Sequence, residues 1–144
     1  MVRQPSIVID TNVVVSALRS RLGAAHKLLL LVGTGRFQTN ISVPLALEYE
    51  SALKRIEDDI LLTGREIDDV LDYICKAANH RRIFFLWRPF LRDPKDDLVL
   101  ELAVSAGCGY IVTFNEKDFH GAEEQFGVNI VAPGKFLRIV GVVS

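Results

Sequence analysis

The sequence predicts an α/β fold, a parallel sheet with helices on both faces. Three observations carry that expectation. Short runs rich in β-branched residues alternate with longer stretches of helical periodicity along the chain. The helical stretches open at capping residues or proline and close at glycine. No internal repeat, low-complexity tract or Pro/Gly-rich linker divides the 144 residues, which are expected to form one domain, 1–144.

The elements follow in order. Ile7–Ile9 reads as a first strand. Asn12–Arg19 and Ala24–Val32 read as helices separated by Gly23, the second ended by Gly33 and Gly35. Arg36–Asn40 is a short strand, after which Ser42 caps a helix that has Pro44 in its first turn and runs to about Ile56. Thr63 caps the next helix, Gly64 to about Ala78, whose Ile67, Val70, Leu71 and Ile74 form one apolar stripe. Ile83–Trp87 is expected to be a strand, Lys95–Ala106 a helix stopped by Gly107, and Tyr110–Thr113 and Val128–Val131 two more strands. Pro133 opens a terminal helix carrying Phe136, Leu137 and Val140. Strands that alternate with helices are joined by right-handed crossovers and lie parallel.

Composition sets limits on function. Hydrophobic residues make up 49% of the chain, and 17 basic residues face 18 acidic ones. This is the balance of a globular domain, with no global charge signal for nucleic acid. Cys75 and Cys108 are the only cysteines and show no metal-type spacing, so both are expected as reduced, buried thiols of a cytoplasmic protein. The apolar stretches before Asp10 and in "AAHKLLLLVGTG" are too short for a signal peptide or a membrane span.

The chemistry starts at Asp10, which ends the first apolar strand. A carboxylate there must be capped, paired or bound to something, because burying it alone is costly. It can serve as the N-cap of the next helix, or as part of a site. In open parallel sheets ligands sit beyond the carboxyl ends of the strands, near the reversal of strand order. Thr113 and Asn115 lie at such an end, and the turn after Asn40 leads to the helix carrying Glu48. Asp93, Asp96 and Asp97 open another helix, where their charge suits the dipole. Each residue has a plainer role available: helix-end charge for these three, a surface ion pair for Glu48, a turn for Asp118, an i,i+4 pair of Glu50 with Lys54. Taken together, several carboxylates at one sheet edge repel one another unless cations neutralise them. Oxygen ligands without His or Cys suit Mg²⁺ or Mn²⁺. His26, His80 and His120 show no ligand spacing and are expected to be structural or on the surface.

The stretches "IVIDTNVVVSAL", "LALEYESALKR", "RDPKDDLVLELAVSAGCGYIVTFNEKDF" and "IVAPGKFL" occur in an order that resembles PIN-domain ribonucleases, in particular the VapC-like toxins of toxin–antitoxin pairs. The resemblance runs from Ile7 to about Leu137. It implies a three-layer α/β/α domain with a central parallel sheet of about five strands, and an Mg²⁺- or Mn²⁺-dependent endoribonuclease that leaves a 5′-phosphate and a 3′-hydroxyl. By position it implies Asp10, Glu48 and Asp97 as catalytic acids and metal ligands. The fourth acid of the family pattern is replaced by Asn115, whose amide oxygen can ligate the metal or hold a metal-bound water without adding charge, with Asp118 three residues on as a compensating metal ligand. Asn12, Asp93, Asp96 and Thr113 are then expected to orient the ligands.

Lys76, Arg81, Arg82, Arg88, Arg92 and Lys95 face only Asp93 in their segment. Arg81, Arg82, Arg88, Arg92 and Lys95 are the candidate RNA contacts, or else a solvated face balancing the acidic 57–72 stretch. Trp87 and Phe90 can stack bases, or belong to the core or a dimer interface. The leucine-rich "AAHKLLLLV" invites an antitoxin protein or a second copy of the chain. Two other readings compete. In a catalytically weak PIN-like module that binds RNA or protein, Asn115 would mark the lost acid. A haloacid-dehalogenase-like phosphatase needs an acid two residues after Asp10, where Asn12 stands.

Overall fold

A computed structural model describes residues 4–60, 62–83 and 90–142. Five strands form one parallel sheet: β1 (Ser6–Ile9), β2 (Gln38–Ile41), β3 (Asn79–His80), β4 (Tyr110–Val112) and β5 (Asn129–Val131). Their order is β3-β2-β1-β4-β5, so strand order reverses between β1 and β4. Ile7, Val8 and Ile111 are completely buried, as expected of central parallel strands covered on both faces.

Seven helices connect and cover the strands among the described residues: α1 (Thr11–Arg19), α2 (Ala24–Leu31), α3 (Val43–Arg55), α4 (Gly64–Ala77), α5 (Pro94–Ser105), α6 (Ala122–Phe126) and α7 (Pro133–Ile139). Helix α1 packs on α2 and α3, α3 on α4, and α2 on α7, while α5 lies directly against β1, β2 and β4. The caps sit where the residue types dictate. The Ser42 hydroxyl accepts from the Leu45 N–H, and Thr63 and Glu66 form a reciprocal capping box at the start of α4. The stripe expected on α4 buries Ile67, Leu71 and Ile74. Gly33 and Gly35, after α2, take left-handed φ of +83° and +94°, which glycine adopts without strain.

The α/β fold with five parallel strands is as expected, with one strand displaced. The third strand is Asn79–His80, not Ile83–Trp87. Ile83 lies outside any strand, and Phe84 to Trp87 fall outside the described residues. Helix α4 ends at Ala78 in extended backbone, so the chain pairs at once with Asn40 and Ile41, and the Arg81 N–H continues the ladder to the Ile41 carbonyl at 2.8 Å. A strand at the sheet edge has no need of apolar side chains, and "NHRR" carries no hydrophobic signal. Cys108 is buried, whereas Cys75 is only partly so; both are free thiols. Lys54 pairs with Asp68 on α4 at 3.6 Å, where an ion pair with Glu50 was expected. No helix among the described residues is long and apolar enough to cross a membrane.

Candidate active site

The carboxyl ends of β1 and β4 meet where strand order reverses. The Asp10 N–H donates to the Val112 carbonyl at 2.9 Å and the Thr113 N–H to the Val131 carbonyl at 2.9 Å, which sets Asp10 and Thr113 side by side. Asp10 is 6% exposed and Thr113 not at all. Asp10 does cap α1: its Oδ1 accepts the Thr11 N–H at 2.8 Å. Its Oδ2 accepts the Thr113 hydroxyl at 2.7 Å and the Asn12 Nδ2 at 3.3 Å. Asn12 in turn accepts the Phe114 N–H at 3.2 Å, and the Thr113 hydroxyl accepts the Asn115 N–H at 3.0 Å and the Asn12 Nδ2 at 3.3 Å. The residue that caps α1 is therefore also held through its other oxygen by Asn12 and Thr113.

Burial pushes the Asp10 carboxyl above its ordinary range. The hydrogen bonds from Thr113 and Thr11 pull it back, and the charges of Asp118 and Asp93 push it up again. Asp96 is pushed up to about 7, first by burial and then by the carboxylates of Asp10, Asp118, Asp93 and Asp97. Burial together with acidic neighbours thus raises both Asp10 and Asp96.

Asp97 bonds the backbone just ahead of α5. Its Oδ1 accepts the N–H groups of Leu91 at 2.9 Å and Phe90 at 3.2 Å, fastening the incoming segment to α5. Asp93 is the N-cap of α5, accepting the Lys95 N–H at 2.9 Å ahead of Pro94. Glu48 sits beside cations: Lys95 Nζ lies 3.4 Å and Arg55 Nη2 3.7 Å from its Oε1. Next to it the buried Tyr49 hydroxyl donates to the Ile9 carbonyl, tying α3 to the end of β1. Burial and the Asp10 charge push that phenol well above its usual range. Tyr49 went unnoticed in the sequence, where it reads only as one more apolar position of α3.

Asn115 precedes the short 3-10 turn after β4 (Glu116–Phe119) and Asp118 lies within it, both exposed. The Asp118 N–H donates to the Asn115 carbonyl at 3.0 Å. Among the described residues no three His, Cys, Asp or Glu side chains close on one point tightly enough to cage a metal ion. The expected RNA contacts scatter. Arg81 Nε donates to Asn40 Oδ1 at 3.1 Å, Lys95 is paired with Glu48, Arg82 is exposed, and Arg88 lies outside the described residues. Arg92 lines a cleft with Asp93, Asp96 and Asp118.

Residues 6–117 match the PIN domain family. No curated protein sequence matches the chain. Among solved structures, one similar chain comes from the crystal structure of VapBC2 from Rickettsia felis bound to a DNA fragment from their promoter. It aligns with a TM-score of 0.55 and 14% identity, covering 88% of this chain and 96% of that one, a likeness of fold. With the family matched across most of its length, strand order reversing beside Asp10 and carboxylates gathered at that edge, the chain belongs to the PIN-domain family.

Proposed function

We propose that this protein is a divalent-metal-dependent endoribonuclease that hydrolyses phosphodiester bonds of single-stranded RNA. The observation that carries this reading is the charge conflict at the sheet edge. Burial first, and then the charges of Asp10, Asp118, Asp93 and Asp97, push Asp96 up to about 7, and a bound cation would relieve that cost. The donor set fits Mg²⁺ or Mn²⁺: it is all hard oxygen, and Mg²⁺ keeps several waters while using one or two carboxylates, so a closed cage is not required.

Asp10, Asp96 and Asp118 are the residues we assign to the ion, with Glu48 reaching it directly or through water. Asp97, the acid implied by the family pattern, then serves the site through the Phe90–Leu91 segment it holds. When bound, the ion activates water and offsets charge on the phosphoryl group and the leaving oxygen. The chain's own residues do the positioning. Thr113 and Asn12 fix the Asp10 carboxylate in one orientation, and Tyr49 fixes the α3 turn next to Glu48. Asn115, an amide where the family pattern has an acid, adds no charge, which leaves Asp118 to supply it.

By analogy with the VapBC2 assembly, we infer an antitoxin protein as partner. Leu30, 64% exposed on the leucine-rich α2, offers apolar surface for it. Val43 and Leu47, one turn apart on α3 and both exposed, suit a second copy of the chain. The catalytic reading is tested by cleavage of labelled single-stranded RNA in Mg²⁺, Mn²⁺ or EDTA, beside Asp10→Asn. Cutting that requires metal and is lost in the variant is expected. Cutting that survives EDTA, or an Asp10→Asn protein as active as the wild type, overturns it.

A further inference from the structure

A cleft of about 510 Å³ opens beside the acids, between the Phe90–Asp93 segment and the Lys117–His120 loop, with Asp96 and Asp118 in its wall. Among the described residues neither Arg92 nor Lys117 has a carboxylate within 4.0 Å, although three acids line the same cleft. Phe90 stands at the rim, 41% exposed. Its ring makes one T-shaped contact with Phe126, centroids 5.2 Å apart, and lies over Gly121, where an added Cβ would come within 3.4 Å of it. Gly121 has φ +88°, a backbone conformation that favours glycine there. The platform is anchored as well, since Leu91 is buried and Asp97 holds the Phe90 and Leu91 amides.

We propose that this cleft is the subsite for the nucleotide next to the scissile bond of a single-stranded polynucleotide. Arg92 and Lys117 take its phosphate, and Phe90 stacks on its base. The assignment rests on the nuclease reading of the neighbouring acids. A planar guanidinium pairs with phosphate oxygens two at a time. An aromatic face accepts any base, so recognition here tolerates sequence and depends on salt. His120, at the rim, belongs to the same surface.

The test is fluorescence anisotropy of a labelled single-stranded RNA, and of single-stranded DNA of the same sequence, on the full chain in Ca²⁺. The Arg92→Ala/Lys117→Ala protein is expected to bind about tenfold more weakly. The slope of log affinity against log salt should flatten by about 1.4, two contacts at about 0.7 each. Phe90→Leu should weaken binding by about tenfold with the slope unchanged, and Phe90→Tyr should restore it. Arg65→Ala, an exposed cation of α4 outside the cleft, should change nothing. Arg92→Gln/Lys117→Gln repeats the charge removal if the alanine protein melts early. Losses shared by RNA and DNA support a phosphate-and-base subsite, and losses for RNA alone support it with a ribose contact added. Binding by the double variants equal to that of Arg65→Ala overturns the subsite, as does a wild type that binds neither strand. A chain that shows the expected binding losses but never cleaves RNA overturns the nuclease reading instead.

Discussion

Replacing Thr113 by valine keeps the side-chain shape and removes the hydroxyl that donates to Asp10 Oδ2 at 2.7 Å. Thr113 is fully buried, so water cannot replace the lost donor. A hydrogen bond to a charged group contributes about 1.5–3 kcal/mol. The new methyl offsets part of that, about 0.8 kcal/mol. The net loss is then roughly 0.7–2.2 kcal/mol, or about 2–9 °C in melting temperature for a domain of this size. The cost should depend on pH in a defined direction. The Thr113 bond lowers the Asp10 pKa against burial, so its removal raises that pKa further. Ionised Asp10 therefore bears the penalty, and the difference from wild type should be full at pH 8 and shrink as acid neutralises Asp10. Urea unfolding from pH 8 down through the carboxylate range measures both, with Thr113→Ser as the variant that keeps the donor. A difference below about 0.5 kcal/mol at pH 8, against the hydrogen-bond range above, would refute the argument that Thr113 holds Asp10. So would a difference that never shrinks across that range.

Asp96→Asn and Asp97→Asn should separate two neighbouring acids. The folded-state pKa of Asp96 lies above its unfolded value, so its ionised form costs stability that grows from about pH 4 and is complete above about 7. Without metal, Asp96→Asn should therefore raise the melting temperature at pH 8 and leave it unchanged at pH 4, while lowering metal affinity by at least tenfold. Asp97→Asn should lower stability by about 1 kcal/mol, because a neutral amide accepts the Phe90 and Leu91 amides more weakly. Hydrogen exchange at Leu91 should speed up with it. Glu48→Gln should move stability by less than about 1 kcal/mol in chemical denaturation, since its partners Lys95 and Arg55 are more than half exposed, yet it should cut RNA cleavage by at least tenfold.

The strand that ends in Asp10 was legible because three β-branched residues and a carboxylate form a contrast that burial must resolve. Helix starts were legible wherever a cap residue preceded an apolar stripe, as at Ser42 and Thr63. The third strand was not, because its position comes from pairing with β2, and hydrophobicity drew the eye to Ile83–Trp87. The different surroundings of Asp96 and Asp97 were also hidden. Adjacent residues on a helix point about 100° apart, and the rotation of α5 is decided by burial of residues such as Val99 and Leu100. Lys117 and His120 gave no signal, since their place beside Arg92 depends on how the turn after β4 folds back.

The central claim is that the acids at the end of β1 hold a divalent ion and that Asp96 is one of them. Calorimetric titration of Mn²⁺ at pH 6.5, repeated in buffers of different ionisation enthalpy, tests it most directly. Asp96 is pushed up to about 7, so it must give up its proton when the ion arrives. The account predicts binding with net proton release at pH 6.5, release that fades by about pH 8, and loss of both binding and release in Asp96→Asn. Binding without proton release, or the same release from Asp96→Asn, would contradict it.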